Sequence, residues 1–347
     1  MRTSQALPEQ QVFSFKRSDR RLPWVLLVLL LLTLAILGMS LSLGDYPVPS
    51  LDIVKAVMGM KTVDSESPFV VITLRLPRVL LSWLVGVGLA LSGAILQGLT
   101  RNPLADPGII GVNAGAGLAA VTLIVVFPGT PPGVLPLAAF GGALFVAILI
   151  YLISGSGQRS PLRQVLVGVG LGAIAGSITT LMLTFGNINN VTNALVWLAG
   201  SVSGKSWKEV FSLLPWLAVF GPLALQLARE LNALQLGDEV AKGLGSRVEW
   251  QRALLLLVSV ALAGASVATA GTISFVGLMA PHLARLLVGP MHENLLPVAA
   301  LSGGLLVGAA DLLGRTLFSP TELPCGLLTA ALGAPYFLYL LYRSRKP

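Results

Sequence analysis

The residues that could do chemistry in this chain fall into three groups, and the first is a loop. Ala199-Gly-Ser-Val-Ser-Gly-Lys205-Ser206 satisfies a relaxed nucleotide-binding pattern, with Ala in place of the first Gly. Such a loop cradles phosphates when it leaves a buried strand and opens a helix whose N-terminal amides point at the anion. Here it follows an apolar run that reads as a membrane helix, so a connector is expected and not a phosphate site. Asn190-Val-Thr192 matches a glycosylation sequon, which carries meaning only in a eukaryotic secretory setting. The two histidines, His282 and His292, and the one cysteine, Cys325, are too few for a ligand cluster, and a single cysteine cannot close an internal disulfide. No paired carboxylates and no nucleophile with a base are visible in the pattern, so neither catalytic residues nor a metal site are expected.

The second group is the charge-dense stretch from Arg229 to Arg252. Gly237 can end one short helix there and Asp238 can cap the next, since a carboxylate accepts amide bonds at a helix start. Leu236, Val240, Leu244 and Val248 follow at four-residue spacing, a narrow apolar stripe on an otherwise polar element. The stripe reads either as a surface helix pair lying on its own bundle or as a docking element for a cytoplasmic partner. The third group is arginine: Leu74-Arg75-Leu-Pro-Arg78 ahead of one apolar run, and Arg315 near the end of another. Snorkelling at helix ends accounts for such side chains, and guanidinium forks also suit the carboxylates of a docking protein. Asp311 stands four residues before Arg315, a spacing that predicts an ion pair along one helix face.

These residues must be positioned by elements made almost entirely of apolar residues. Of 347 residues, 54% are apolar and 11% charged, against about 25% charged in an ordinary soluble domain. That excludes a water-soluble enzyme, and a chain this apolar is not disordered. The net charge of +8 lies between apolar runs, whereas a nucleic-acid footprint needs clustering on one exposed face. A helix crossing about 30 Å of hydrocarbon takes about 20 mostly apolar residues. Suitable runs are 24–43, 79–100, two within 107–158 split at Phe127 to Gly133, one span plus a short segment within 164–204, 210–228, 253–281 with a break near Gly271 to Ser274, 295–310 and 323–342. The expected fold class is therefore an all-α polytopic membrane protein of about ten transmembrane helices.

In this reading residues 1–21 form a cytoplasmic tail ahead of a retained anchor, because the first apolar run is too long and lacks the small-residue cleavage site of a signal peptide. Residues 22–347 form one transmembrane domain, with 229–252 as a cytoplasmic insert. Retention of positive charge on the inner side places both termini in the cytoplasm, and Arg75, Arg78 and Arg315 outside. Glycines recur four apart at Gly111 and Gly115, at Gly168, Gly172 and Gly176, and at Gly304 and Gly308. Such spacing permits close helix packing in lipid; some of these glycines could equally line a conduit or act as hinges. A faint echo links Leu91-Ser-Gly-Ala94 with Leu262-Ala-Gly-Ala265 on helices of opposite direction, a possible inverted repeat of the kind found in transporters. An ion-coupled carrier would place ionisable groups at mid-membrane, and the helix centres here are nearly free of them.

Several blocks, in order, resemble the FecCD-type permeases: Leu74-Arg-Leu-Pro-Arg78, Leu91-Ser-Gly-Ala-Ile-Leu-Gln97, Asn102-Pro-Leu-Ala-Asp-Pro-Gly108 with Gly111, Leu234-Gln-Leu-Gly237 through Leu244-Gly245, Ile273-Ser-Phe-Val-Gly-Leu278, Pro281-His282, and Glu322-Leu-Pro324 through Leu332-Gly-Ala-Pro335. The likeness runs from about Leu22 to the C-terminus. Members of this family are membrane subunits of binding-protein-dependent ABC importers for iron-siderophore complexes, haem and vitamin B12. The resemblance implies a ten-helix permease in a bacterial cytoplasmic membrane, paired with a second permease subunit around a central pathway. Two separate ATPase subunits would bind ATP and Mg2+, an extracytoplasmic substrate-binding protein would sit above, and this chain would hold no cofactor. It also implies that Leu231, Asn232, Leu234, Leu236, Gly237, Asp238, Glu239, Ala241, Leu244 and Gly245 couple to the ATPase and that Arg75, Arg78 and Arg315 dock the binding protein. Asn102, Pro103, Pro107 and Gly108, Ser160 and Pro161, and Pro281 and His282 fall near inner ends of spans and read equally as candidate gates or hinges and as structural turns. An iron(III)-siderophore is the favoured cargo on family frequency, with haem or cobalamin behind it. A sodium- or proton-coupled carrier and a non-transporting scaffold are the rivals from other classes.

Overall fold

In a computed structural model of the chain, residues 21–44, 46–62, 64–108, 111–131, 133–154 and 161–344 are described. Ser160 and residues 1–20 of the N-terminal tail lie outside them. The described residues are mostly helical, with no strand among them. Its helices are α1 (Leu22–Ser42), α2 (Ser50–Val57), α3 (Leu76–Thr100), α4 (Val112–Val121), α5 (Val134–Ile153), α6 (Pro161–Phe185), α7 (Ile188–Ala199), α8 (Trp207–Gln226), α9 (Ala228–Gln235), α10 (Asp238–Gly243), α11 (Val248–Ala270), α12 (Val276–Val288), α13 (His292–Thr316) and α14 (Cys325–Ser344). A π-helical stretch, Phe69–Arg75, runs without a break into α3, and a second, Thr122–Val126, extends α4. Arg75 and Arg78 therefore lie within one continuous helical run, not in a connector ahead of a span.

Seven helical runs are long and apolar enough to cross a bilayer, and three shorter apolar helices, Val112–Val126, Val276–Val288 and Cys325–Leu340, join them. Together they match the expectation of about ten. The breaks fall where turn residues put them: α11 ends at Gly271, whose φ of 75° is open to glycine, and α12 starts after Phe275. The nucleotide-loop lookalike connects helix α7 to helix α8, and Ser206 caps α8 in a reciprocal bond with Glu209. It has no strand ahead of it.

The centre of the bundle is α3 with α11 and α13 around it. The apolar stretches of α3 and α11 are 78% buried within the chain's own fold, whereas that of α6 is 11% buried. The centre is close-packed because it is built on small residues. A Cβ at Gly86 would strike the backbone of Gly303, one at Gly93 the backbone of Gly277, and one at Gly115 the carbonyl of Gly142. In lipid, where apolar burial gives helices no reason to associate, such backbone approach supplies the contact. Gly170 and Gly176 of α6, by contrast, face open space. Within the same α6 repeat, Gly168 and Gly172 lie against Gly111, so packing accounts for those two and leaves Gly176 without a neighbour within 4 Å. The echoed segments of α3 and α11 lie side by side in opposite directions, with Ser92 Oγ and Ser259 Oγ 2.8 Å apart.

Candidate functional site

At one end of α3 sits the elbow of α9 and α10. Gly237 turns the chain between them with a φ of 114°, a conformation that a side chain would strain. The two helices divide their apolar residues by side. Leu231, Leu234 and Ala241 point into the bundle and are fully buried or nearly so, while Leu236, Val240 and Leu244 are 64%, 49% and 66% exposed. Gly245, with φ 88°, ends the elbow as Ser246 N–H returns to the Ala241 carbonyl at 3.0 Å. Val248, the fourth member of the sequence stripe, is buried at the start of α11. Glu239 is exposed beside Val240.

Asp238 does not cap α10 as its type and place suggested. It is the first helical residue, and its carboxylate turns back to accept from Arg101 Nη2 at 2.5 Å and from Arg252 Nη2 at 3.0 Å. Two guanidiniums outbid the backbone amides because charge-assisted bonds are the stronger ones. Partial burial pushes the Asp238 carboxyl up, but the bonds and charges of Arg252 and Arg101 hold it below its ordinary range. Arg101, in a left-handed conformation just past α3, also donates from Nε to the Leu234 carbonyl at 3.0 Å. Asn232 accepts from the backbone N–H of His292 at 3.0 Å. The elbow is thus fastened to the ends of α3, α11 and α13 while its apolar tip points outward.

At the other end of α3 the three arginines are engaged within the chain. Arg75 donates to the carbonyls of Leu41 at 2.7 Å, Ser42 at 3.2 Å and Tyr46 at 2.5 Å, and Arg315 donates to that of Ser40. Helix α1 has no basic residue in its last turn, so these two side chains bring positive charge to its negative end. Asp311 pairs with Arg78 rather than with Arg315 four residues on. Arg78 meets it from Nη2 at 2.8 Å and from Nε at 3.1 Å. The interhelix partner wins because its fork can take both carboxylate oxygens. Arg78 Nη1 reaches Glu322 at 2.9 Å, and Ser203 Oγ donates to the same carboxylate at 2.5 Å. Burial raises the Glu322 carboxyl, yet the bonds from Arg78 and Ser203 bring it below its ordinary range.

Between the two ends a cavity of about 580 Å³ opens among α4, α6, α12 and α14, lined in part by Asp106, Asn113, Thr179, Thr180, Ser274 and Phe275. Of the gate candidates, Gly108 lines it and Pro107 lies beside it, against Gly277 at the start of α12. Asn102 and Asp106 shape that segment by accepting from the N–H groups of Leu104 and Gly108 at 2.9 and 2.8 Å. Pro103 is exposed on the far side. Pro281 lies within α12, and His282 meets the Tyr336 ring edge-on with centroids 5.7 Å apart, away from the cavity wall. Pro161 opens α6, where its fixed φ suits a first helical residue.

Sequence reasoning missed Asn113, Thr179 and Thr180, whereas Asp106 fell inside the Asn102 to Gly108 segment and Phe275 inside the Ile273 to Leu278 block without a role of its own. Phe275 has φ 67° without being glycine, and its ring fills the space left by Gly333. Strain of this kind in a cavity wall marks functional positions. The break at Gly271 to Ser274 and the Ile273 to Leu278 block were the sequence signals near it.

The FecCD transport family matches residues 29–343 of the chain. The Fe(3+)-citrate import system permease protein YfmE of Bacillus subtilis (strain 168) is 41% identical over 333 residues, covering 95% of this chain and 98% of its own. The achromobactin transport system permease protein CbrC of Dickeya dadantii (strain 3937) is 45% identical over 317 residues, covering 91% and 90%. Other relatives are named as cobalamin and hemin permeases. Among solved structures, an inward-facing conformation of a metal-chelate type ABC transporter superposes with a TM-score of 0.83 at 32% identity, over 92% of this chain and 99% of that one. The elbow, the arginine end and the broken helix between α11 and α12 are built by the blocks that carried the sequence resemblance, and a match over nearly the whole length places the chain in the FecCD transport family.

Proposed function

We propose that this chain is the permease subunit of a binding-protein-dependent ABC importer for an iron(III)-siderophore complex, seated in a bacterial cytoplasmic membrane with both termini inside. The observation that carries the reading is the α9–α10 elbow, which displays Leu236, Val240 and Leu244 to solvent while Asp238, Arg101 and Arg252 lock its base. Exposed apolar side chains on a rigidly held, otherwise charged element are the surface of a protein interface. The occupant is a separate ATPase subunit that binds ATP and Mg2+. Two such subunits and a second permease subunit complete the machine, with the poorly covered α6 facing the pathway side.

The arginine end is the docking face for the extracytoplasmic binding protein. Arg78 is the least buried of the three, with its side chain 11% exposed, and Arg75 and Arg315 hold the floor by fixing α1. A carboxylate of the binding protein would meet Arg78 by exchange with Glu322, the more exposed of its two partners. Around the cavity, hydroxyl and amide groups offer weak, replaceable hydrogen bonds, which suits passage of a polar chelate better than its capture. Nucleotide binding would shift the permease between states by its different affinity for each.

Co-purification tests this reading. The double substitution Leu236→Asp and Leu244→Asp is expected to leave the permease folded, because both side chains are exposed, and to detach the ATPase. Retention of the ATPase by that variant would refute the assignment, as would accumulation of cargo by vesicles holding this chain alone without nucleotide hydrolysis. Binding of a panel of ferric siderophores, haem and cobalamin to the partner binding protein fixes the cargo, and preference for haem or cobalamin would replace the siderophore.

A further inference from the structure

His292, at the head of α13, is completely buried and forms part of neither the elbow surface nor the cavity wall. Its ring Nδ1 lies 2.8 Å from Asn232 Oδ1, the same oxygen that accepts the His292 backbone N–H at 3.0 Å. Asn232 Nδ2 donates to Glu293 Oε2 at 2.5 Å, which fixes the amide orientation and leaves Oδ1 an acceptor. Nδ1 must therefore carry the ring hydrogen. Ring Nε2 is left as a bare lone pair, with no hydrogen-bond partner among the described residues. It rests over Gly98 near the end of α3, where an added Cβ would lie 2.9 Å from Nε2 and 3.0 Å from Leu231 Cδ2. A second ring proton would be a buried donor without an acceptor, so the geometry holds the imidazole neutral.

This one side chain touches three elements. It is bonded to α9 of the elbow, it begins α13, and its ring atoms Nε2 and Cε1 lie against Gly98 of α3. The neighbour of Gly98 continues the line: Gln97 Nε2 donates to the carbonyls of Gly277 at 3.3 Å and Leu278 at 3.4 Å, and Gln97 Oε1 accepts from Arg285 at 3.1 Å. Gly277 in turn abuts Pro107 and Asp106, and Asp106 lines the cavity. Asn232 sits on the elbow and Asp106 in the cavity wall, so a continuous packed and hydrogen-bonded path joins them with His292 at its first junction.

We propose that His292 is a positioning residue that transmits displacement of the elbow, through its bond to Asn232 and its seat on Gly98, by way of Gly277 to the cavity wall at Asp106. The proposal rests on the coupling role given to the elbow above. Spatial continuity alone does not establish energetic coupling, so the test must read the far end while the near end is perturbed.

The experiment uses the assembled importer in lipid nanodiscs, with Cys325→Ser as background and Thr180→Cys as a reporter in the cavity. The readout is the rate at which a membrane-impermeant maleimide labels the reporter, without nucleotide and with Mg-ATP plus vanadate. The parent is expected to change its labelling rate with nucleotide by about tenfold, a usual size for coupling between sites. His292→Leu is expected to abolish that change while ATPase subunits still co-purify, and His292→Gln, a neutral donor of similar reach, to restore most of it. Asn232→Leu, which spares the buried ring position, is expected to lose the response as well and keeps the test open should His292→Leu not fold. A nucleotide response retained in both Leu variants overturns the proposal alone. A parent that holds its ATPase poorly or does not respond to nucleotide overturns the coupling reading, and this proposal with it.

Discussion

Asp311→Ala is expected to be far more damaging than Glu322→Ala at the arginine end, although each removes a carboxylate from Arg78. The Asp311 and Arg78 side chains are 4% and 11% exposed and meet at 2.8 Å, so their attraction is little screened by water. Asp311→Ala leaves the buried Arg78 guanidinium with only the wetter Glu322, a loss of about 3 kcal/mol, the low end for a broken buried pair because one carboxylate remains. Glu322 holds the same guanidinium at 2.9 Å but is 38% exposed, and an ion pair that wet is worth about 0–1 kcal/mol. The two alanine variants should therefore differ by about 2–3 kcal/mol. Cys325 supplies the assay: it is the one cysteine in the chain and 1% exposed beside the Gly200 carbonyl. A thiol-reactive fluorogenic dye reports its exposure during thermal unfolding in detergent. The midpoint should fall steeply for Asp311→Ala and Arg78→Ala and slightly for Glu322→Ala. The apolar double variant Arg78→Met with Asp311→Leu should recover much of the loss, because no orphan charge remains. Equal midpoints for Asp311→Ala and Glu322→Ala would refute the argument from burial.

Three further outcomes are expected. Gly86→Ala forces a Cβ into the Gly303 backbone, whereas Gly176→Ala meets nothing within 4 Å; the first should destabilise by about 1–3 kcal/mol or more and the second should be neutral in the same thermal assay. For acid sensitivity, the folded-state value of Asp238 lies below its ordinary 3.8 because Arg252 and Arg101 outweigh its burial. Its contribution is complete above that ordinary value and drains as pH falls through the lower folded one; hydrogen exchange of the Leu234 to Ala241 amides should accelerate in that acid range, and Asp238→Asn should remove the pH dependence. Arg75→Met strips three carbonyl partners from the end of α1, and charged hydrogen bonds are worth about 1.5–3 kcal/mol each; exchange at Met39 to Leu43 should rise, and Arg75→Lys should not restore it, since one ammonium cannot span the three carbonyls.

The helical class and the ten apolar segments were legible because a bilayer imposes a length on each helix, and that length survives in the chain as charge-free runs. The elbow was legible for a related reason: Leu236, Val240 and Leu244 are apolar in a stretch where solvation favours charge, and all three are exposed. What could not be read was the choice among competing partners. Asp238 had backbone amides available by local rules and took two arginines from α11 and the end of α3 instead. Asp311 had Arg315 at helical spacing and took Arg78, a residue 233 positions away. Local spacing ranks only local partners, and in a bundle the stronger ligand often arrives from another helix. Asp106 received no role of its own because its segment read only as a gate, hinge or turn at a span end; in the fold it packs against Gly277 and is 6% exposed.

Both ends of the proposed machine are carried by the same two helices. Helices α3 and α13 have 25 residues each, about 37 Å at 1.5 Å per residue, enough to overrun a hydrocarbon core of about 30 Å. They run in opposite directions, with Arg78 and Asp311 joined at one end and Gly98 and His292 in contact at the other. Midway, the backbones of Gly86 and Gly303 touch, so neither helix can slide past the other without a collision. A pair tied at both ends and interlocked in the middle can tilt as a unit but has little freedom to shear. Elbow motion would thus reach the arginine end, the proposed docking face, as a rotation of this strut. The change of shape needed at the cavity must then fall on the elements less firmly held: α6, which is barely covered by the rest of the chain, and the unwound stretch from Gly271 to Phe275, where a non-glycine residue is kept in a left-handed backbone beside the cavity.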